Sequence, residues 1–253
     1  VRIRMSRPGR VMWRFAPVVL LAGIGLLVVI YSVSLPSHSR PVEFLTYEGV
    51  LSSLGRHLEL VAISSIGALV VSFPLGALLT RLGSGRAEGV IVKILSVAQT
   101  VPSIAILGLS MGVLGLGFKT AVVALWLHAL LPILHNTISG IRSVDQKIIE
   151  AARGMGMRPN RVFLRIELPL SASIIMAGVR TAVVYNVGSA ALATLVGAGG
   201  LGDLIVTGLS LNRMPVLITG SVLTALLAVF LDSLLGKVQF LLNPRGQPIV
   251  SPQ

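Results

Sequence analysis

The chain has 253 residues, of which 54% are hydrophobic and 12% are charged, and its mean hydropathy is +0.89. One soluble core cannot bury that much apolar surface, so the composition excludes a soluble class of protein and requires a lipid bilayer. The absence of cysteine excludes disulfides, cysteine metal ligands and thiol nucleophiles. The formal net charge of +12 fits either a nucleic-acid partner or a membrane surface, and the positions of the basic residues decide between them.

Six apolar runs predict an all-α membrane protein with about six transmembrane helices. Each helix needs roughly 20 apolar residues to cross about 30 Å of hydrocarbon. Together the runs form one transmembrane domain, residues 15–236, between a basic amino-terminal segment, 1–14, and a carboxyl-terminal tail, 237–253. The predicted spans are 15–35, 58–80, 91–116, 120–141, 169–195 and 214–235.

The basic residues place both termini in the cytoplasm. In that orientation, sixteen of the 21 lysines and arginines lie on the inner side, four lie outside, and Arg180 falls within the fifth span. Such an excess on one side is the usual sign of cytoplasmic loops. The positive charge therefore indicates a membrane orientation, and we expect no nucleic-acid partner.

The first run also fits a secretory signal peptide, because a basic start precedes an apolar stretch. About 19 uncharged residues from Phe15 to Val33 exceed the usual length of a signal core, and no clear A-x-A cleavage site follows. We expect a retained membrane anchor.

Prolines and glycines interrupt the later spans. Pro74, Pro102 and Pro132 predict kinks, which are tolerated where neighbouring helices or water-lined cavities satisfy the freed carbonyls. Gly108 and Gly112 have the GxxxG spacing that allows helices to approach closely. We expect these two glycines to pack against another helix rather than to contact a ligand.

A polar, basic segment, residues 143–169, separates the fourth and fifth spans. Ser143 and Gln146 have capping-box spacing, which predicts the start of a short helix. Gly156 is suited to end that helix in a left-handed conformation, and Pro159 to open a second one. The second helix is expected to end at Leu168 and Pro169. Adaptable apolar contacts to a partner are expected from Met155, Met157 and Phe163.

Seven residues of this segment stand at fixed spacing: Glu150, Ala151, Ala152, Gly156, Ile166, Leu168 and Pro169. Their pattern resembles the cytoplasmic coupling loop in the permease subunits of ABC importers. Any basic cytoplasmic loop would explain the arginines, but not this combination. The resemblance implies that residues 143–169, here named the coupling segment, dock on a separate ATPase subunit. It also implies that Glu150 and Gly156 hold the corner that transmits motion.

Further stretches, at 99–109, 115–137, 149–157 and 195–205, resemble the permeases for osmoprotectants such as glycine betaine and choline. This resemblance implies a type I ABC importer permease fold in a bacterial or archaeal plasma membrane. It implies two ABC ATPase subunits, an extracytoplasmic substrate-binding protein and a second permease copy, identical or related. The same machinery importing methionine or another small solute remains an alternative.

Gly197, Gly199 and Gly202 satisfy the GxGxxG pattern, but no βαβ unit surrounds them, so a dinucleotide site is rejected. With Gly200 they predict a glycine-rich outer turn that lines the mouth of a path or forms a packing corner. Nearby, Tyr185 and Asn186 bring polar groups into the fifth span and either face a path or hydrogen-bond another helix.

Arg180 is predicted at mid-depth, where a guanidinium requires a partner or a wet cavity. Pairing with Asp232, snorkelling and a role in transport are all open.

The chain lacks the GxxxxGK[ST] phosphate loop, and no catalytic or metal-binding constellation is recognised in the sequence. We therefore expect no catalysis and no cofactor in this chain, with ATP and Mg²⁺ bound by the partner ATPase. A self-contained secondary transporter is the alternative from a different class, but intramembrane ionisable groups and inverted repeats would be expected of it.

Overall fold

The computed structural model describes residues 46–81 and 85–242, together with the isolated positions 23, 25 and 27. Apart from those three positions, the predicted first span and the basic segment 1–14 lie outside the described residues. So does the part of the tail beyond Leu242. Every regular element in the described ranges is helical.

Nine α-helices follow one another along the described chain. A π-helical turn, Phe163–Glu167, precedes α7, and a 3₁₀ turn, Ala191–Val196, follows it. The α-helices are α1 Tyr47–Arg81, α2 Gly85–Thr100, α3 Ser103–Leu114, α4 Phe118–Arg142, α5 Gln146–Gly154, α6 Pro159–Val162, α7 Leu168–Ala190, α8 Gly202–Ser210 and α9 Met214–Leu242.

Four of the described helical segments are long and apolar enough to cross a membrane, or five if α2 and α3 count as one broken span. The four are Glu48–Arg81, Phe118–Arg142, Pro159–Val196 and Met214–Leu242. The prediction of several apolar spans is confirmed, whereas the number six and the orientation remain predictions.

The third predicted span, 91–116, is wrong as a single helix. Helices α2 and α3 bend by 99° at the break between them. Pro102 explains the break, because it has no N–H to donate and it disfavours helical geometry in Val101, the residue before it. Pro74 and Pro132, by contrast, lie inside continuous helices.

Helix α4 is the centre of the bundle and packs chiefly against α1 and α7. The approach to α7 is close, since a Cβ at Gly178 would lie 2.6 Å from the carbonyl oxygen of Pro132. The close packing predicted for Gly108 and Gly112 is not found, because nothing among the described residues lies within 4 Å of a Cβ built at either position.

Candidate functional site

The coupling segment begins with a capped helix, but the cap is not the predicted one. Asp145 is the N-cap of α5, and its carboxylate accepts a hydrogen bond from the Lys147 N–H at 2.9 Å. The Ser143 hydroxyl instead donates to the Gly140 carbonyl, at 2.7 Å, where α4 ends. The capping box predicted from Ser143 and Gln146 is therefore wrong, because Ser143 still belongs to the end of the preceding helix.

The corner after α5 has the predicted left-handed glycine. Gly156 has φ +83°, and its N–H donates to the Arg153 carbonyl at 2.9 Å. The next N–H, of Met157, reaches back to the carbonyl of Ala152 at 3.1 Å. These bonds satisfy carbonyls that the helix end would otherwise leave without partners, and they fix a tight corner.

The second short helix opens at Pro159 as predicted, but it does not end at Leu168 and Pro169. Helical structure continues from Pro159 to Val196. The π turn makes this possible, because the N–H of Leu168 bonds to the carbonyl of Phe163, five residues back, and the Pro169 ring follows without ending the helix. The part of the coupling segment from Pro159 onward is thus helically continuous with α7.

A small apolar core holds the coupling segment together. Val144, Ile149, Ala152 and Val162 are buried in it, and Ile166 packs against it together with Met157. Of the seven motif residues, Ala152 and Ile166 thus serve this core, and Leu168 is half-buried. The other four, Glu150, Ala151, Gly156 and Pro169, are exposed.

The exposed side of the segment carries apolar side chains as well. Met155 is 76% exposed, and Ile148 and Leu164 are also exposed. Met157 and Phe163, two of the three predicted partner contacts, are half-buried and contact other parts of this chain. Among the three, only Met155 offers a free apolar surface to another protein.

An ion pair with a buried carboxylate ties the coupling segment to α1. The Glu167 carboxylate is 3% exposed and bonds to Arg81, the last residue of α1. The Arg81 guanidinium also lies 4.8 Å above the ring centroid of Phe163. A second pair joins Arg142 to Glu88, but the arginine is largely exposed there. Sequence reasoning missed both pairs, although an acid between Ile166 and Leu168 is a signal of a buried partner.

Tyr185 and Asn186 point in different directions. Tyr185 is 44% exposed, its ring stacks on His128 at 5.4 Å between centroids, and its hydroxyl is 3.3 Å from the Ser103 hydroxyl. Asn186 is fully buried, and its amide donates to the hydroxyls of Ser64 and Ser65 at 3.0 Å each. The interhelical hydrogen bond, one of the two alternatives, describes Asn186, so we do not propose it for a path.

The glycine loop, residues 197–202, is partly a packing corner. A Cβ at Gly202 would lie 2.0 Å from the Ala191 carbonyl oxygen, and one at Gly200 would lie 3.2 Å from Nδ1 of His57. His57 is fully buried, accepts the Leu201 N–H at 3.3 Å and contacts the Val187 carbonyl at 3.0 Å through Nε2. It thereby fastens the loop to α1, a role that sequence reasoning missed.

The other side of the glycine loop is open. Gly197, Gly199 and Gly200, which all have positive φ, line a cavity of about 330 Å³ together with Arg56 and Asp203. The close contacts fit the packing corner, and the role of the loop at the mouth of a path stays a prediction.

Arg180 pairs with Asp232 of α9 through two nitrogen atoms, as one of the sequence alternatives proposed.

Within residues 46–81 and 85–242, no group of three or more His, Asp or Glu side chains is arranged to hold a metal ion.

Long apolar helices, with a polar helix–corner–helix segment continuous with one of them, define the class: a helical membrane protein with a structured polar segment between two of its apolar helices. Residues 72–245 match the binding-protein-dependent transport system inner membrane component, and the chain belongs to that family.

Relatives of known role extend the match over most of the chain. The carnitine transport permease protein OpuCD of Listeria monocytogenes is 42% identical over 196 residues, 77% of this chain and 87% of the relative. The glycine betaine/carnitine/choline transport system permease protein OpuCB of Bacillus subtilis is 38% identical, over 82% of this chain and 96% of its own length. The fold is similar to a chain of the inward-facing MetNI methionine ABC transporter, with a TM-score of 0.70 and 21% identity, covering 81% of this chain and 99% of that one.

Proposed function

We propose that this chain is the permease subunit of an ATP-driven importer for osmoprotectants of the quaternary ammonium class, such as glycine betaine, choline and carnitine. Relatives named for these solutes match more than three quarters of the chain, which supports the choice of cargo. The chain works in a bacterial or archaeal plasma membrane with both termini in the cytoplasm. Its partners are a second permease, identical or related, two ATPase subunits that hold ATP and Mg²⁺, and an extracytoplasmic substrate-binding protein.

The docking surface for the ATPase is the exposed side of the coupling segment. Glu150 and Ala151 lie on it beside Met155, whose flexible side chain adapts to an apolar groove. The exposed arginines of this segment add charge for an acidic rim. The buried side, meanwhile, keeps α5 and α6 as one unit.

The single observation that carries the mechanism is the unbroken helix from Pro159 to Val196. A push on α5 reaches α7 through the corner at Gly156, because the helix that opens at Pro159 runs on into α7. The Arg81 pair with Glu167 passes the same displacement to α1. Two copies moved in this way rock around a central path and expose it to each side in turn.

The corner at Gly156 tests this mechanism. Gly156→Val introduces a β-branched side chain at φ +83°, a conformation that such residues strongly disfavour, whereas neither Gly156 nor Gly154 has a neighbour that a Cβ would meet within 4 Å. Gly154→Val is therefore a matched control for side-chain size. We expect Gly156→Val to lose ATP-driven uptake while membrane insertion is kept, and Gly154→Val to retain uptake. Normal uptake in Gly156→Val contradicts the coupling role.

The cargo is tested separately. Uptake of radiolabelled glycine betaine, choline and methionine is measured in vesicles that contain the complete transporter, with and without its binding protein. We expect uptake of the quaternary ammonium solutes only when the binding protein and ATP are present. Uptake of methionine alone would exclude an osmoprotectant as the cargo but would still agree with an ATP-driven importer. Uphill uptake by this chain without partners would exclude the ATP-driven importer itself.

A further inference from the structure

Charged and polar side chains face an open cavity between α7 and α9, in segments apolar enough to span a membrane. The side chains of Arg180 and Asp232 are 38% and 34% exposed there. Thr181 and Tyr185 are exposed along the same cavity. Charged side chains within apolar spans usually face a water-filled cavity or the interior of a bundle, so we infer that this surface meets water or protein rather than lipid.

The dimensions of this polar cavity suit a small molecule. Its volume is about 470 Å³, within the range of roughly 300 to 1,000 Å³ that is usual for ligand sites. A second cavity, of about 220 Å³, lies against another side of α7 and is lined almost entirely by leucine, isoleucine, valine and alanine side chains such as Val183. The apolar cavity offers no group that recognises a charge, whereas the polar cavity offers both signs.

Both Arg180 and Asp232 can still contact a ligand while they are paired with each other. Arg180 uses Nε and Nη2 to hold the two carboxylate oxygens of Asp232, and its Nη1 has no hydrogen-bond partner among the described residues. A guanidinium donates five hydrogen bonds in all, so a second carboxylate can bind beside the first. The Asp232 carboxylate is partly open to the cavity, so a ligand cation can lie against it, and Arg180 offsets part of its charge.

An aromatic ring completes the cavity. One face of Tyr185 is covered by the stacked ring of His128, and its hydroxyl is held by Ser103, so the ring has a fixed orientation. A cation over an aromatic face gains roughly 0.5 to 2 kcal/mol. Ring, carboxylate and guanidinium together match a molecule with a quaternary ammonium group at one end and a carboxylate at the other.

We propose that the polar cavity binds a zwitterionic quaternary ammonium solute, with its carboxylate on Arg180 and its ammonium group against Tyr185 and Asp232. The choice of solute class rests on the proposed function, while the arrangement of opposite charges comes from the cavity. Binding here is weak, because a site on a path must release its occupant as readily as it takes it.

The test uses the permease with its ATPase partner in nanodiscs, without the binding protein. Saturation-transfer NMR detects glycine betaine through its trimethylammonium protons. We expect a signal with the wild type, about tenfold weaker binding in Tyr185→Leu, and wild-type binding in Tyr185→Phe, because the ring face supplies the attraction. Val183→Ala, which changes the apolar cavity on the same helix, serves as the matched control and keeps wild-type binding.

The role of Arg180 in binding the ligand carboxylate is tested with two ligands. Arg180→Lys keeps a cation beside Asp232 but loses the planar fork of donors. We expect glycine betaine to bind several-fold more weakly to this variant, while choline, which lacks a carboxylate, binds as before. Equal weakening of both ligands overturns the assignment of Arg180 to the carboxylate.

A cavity-filling variant gives a second test, in case Tyr185→Leu weakens binding only because it misfolds. Thr181 is exposed in the cavity, so Thr181→Phe fills the space without disturbing the buried core, and we expect it to abolish the signal. Unchanged binding in Tyr185→Leu or Thr181→Phe overturns the proposal.

Absence of a wild-type signal also overturns it, including the case in which a second copy of this chain covers the cavity. If the complete transporter still takes up glycine betaine, the proposed function stands and only this site is wrong. If it takes up no quaternary ammonium solute, the proposed function fails.

Discussion

The two ends of helix α7 are fixed to the rest of the molecule by different chemistry. At the coupling-segment end, the helix continues through a π turn and is fixed by the ion pair of the buried Glu167 carboxylate with Arg81. At the other end it passes into a 3₁₀ turn and the glycine loop, which is held by His57 and by close backbone contact. The first end is fixed by charge and helical continuity, and the second by close packing.

The largest effect is expected where the packing is closest. In Gly202→Ala, the added Cβ would lie 2.0 Å from the carbonyl oxygen of Ala191, and backbone cannot move aside cheaply. We expect the free energy of unfolding to fall by about 3 kcal/mol or more, enough to reduce the amount of folded protein. Gly188→Ala, where a Cβ meets nothing within 4 Å, is the control, and thermal stability in detergent measures both. Equal stability of the two variants would mean that the loop does not depend on this contact.

The next prediction compares the stability that the Arg81–Glu167 pair contributes with that of the Arg142–Glu88 pair. Arg81→Gln leaves the Glu167 carboxylate buried without a cation, which costs about 3 kcal/mol and loosens the tie between α1 and the coupling segment. Arg142→Gln removes a largely exposed arginine and costs at most about 1 kcal/mol.

Uptake per ATP hydrolysed distinguishes a role in coupling from a purely structural one. We expect this ratio to fall in Arg81→Gln, to recover partly in Arg81→Lys, and to stay normal in Arg142→Gln. An unchanged ratio in Arg81→Gln that accompanies lower stability would leave the pair with a structural role only.

A smaller effect is expected at the opposite end. His57→Phe fills a similar volume but leaves the Leu201 N–H and the Val187 carbonyl without their partner. Each unsatisfied buried group costs about 1 to 3 kcal/mol, though backbone adjustment recovers part of that. We expect lower thermal stability with an unchanged ratio of uptake to ATP hydrolysis, which contrasts with Arg81→Gln. A fall in that ratio would show that the glycine loop also transmits motion.

The smallest effect concerns the helix cap. Asp145→Ala removes the acceptor for the Lys147 N–H and is expected to cost about 1 kcal/mol. Ser143→Ala removes only a hydroxyl bonded to Gly140 at the end of α4, so we expect a smaller change. Comparing the thermal stability of the two variants tests which residue caps α5. A larger loss in Ser143→Ala would restore the capping box predicted from sequence.

Local signals in the sequence predicted local structure well. The left-handed Gly156 and the helix start at Pro159 are confirmed, because a glycine or a proline restricts its own backbone regardless of the fold. Predictions that depended on neighbours in space fared less well. From sequence alone, Pro169 predicts the end of a helix. The π turn in the structure shows how the helix continues past it.

Contacts between distant residues were the part that the sequence did not reveal. Arg81 and Glu167 are 86 residues apart, and His57 and Leu201 are 144 apart, so no periodicity connects them. The pairing of Arg180 with Asp232 was only one of several alternatives, because charge alone does not say which helices are neighbours. The GxxxG spacing of Gly108 and Gly112 likewise says that a helix can approach closely, not that one does.

The π turn also sets the angular phase of everything that follows it. Successive residues of an α-helix are rotated by about 100° around its axis. An extra residue in a plain α-helix would therefore swing Arg180 and Tyr185 together by about that angle. The π turn closes its hydrogen bond over five residues instead of four, so it takes up one extra residue locally and leaves the residues after it close to the azimuth of an uninterrupted helix. The turn thereby keeps a fixed angular relation between the coupling segment and the exposed surface of α7.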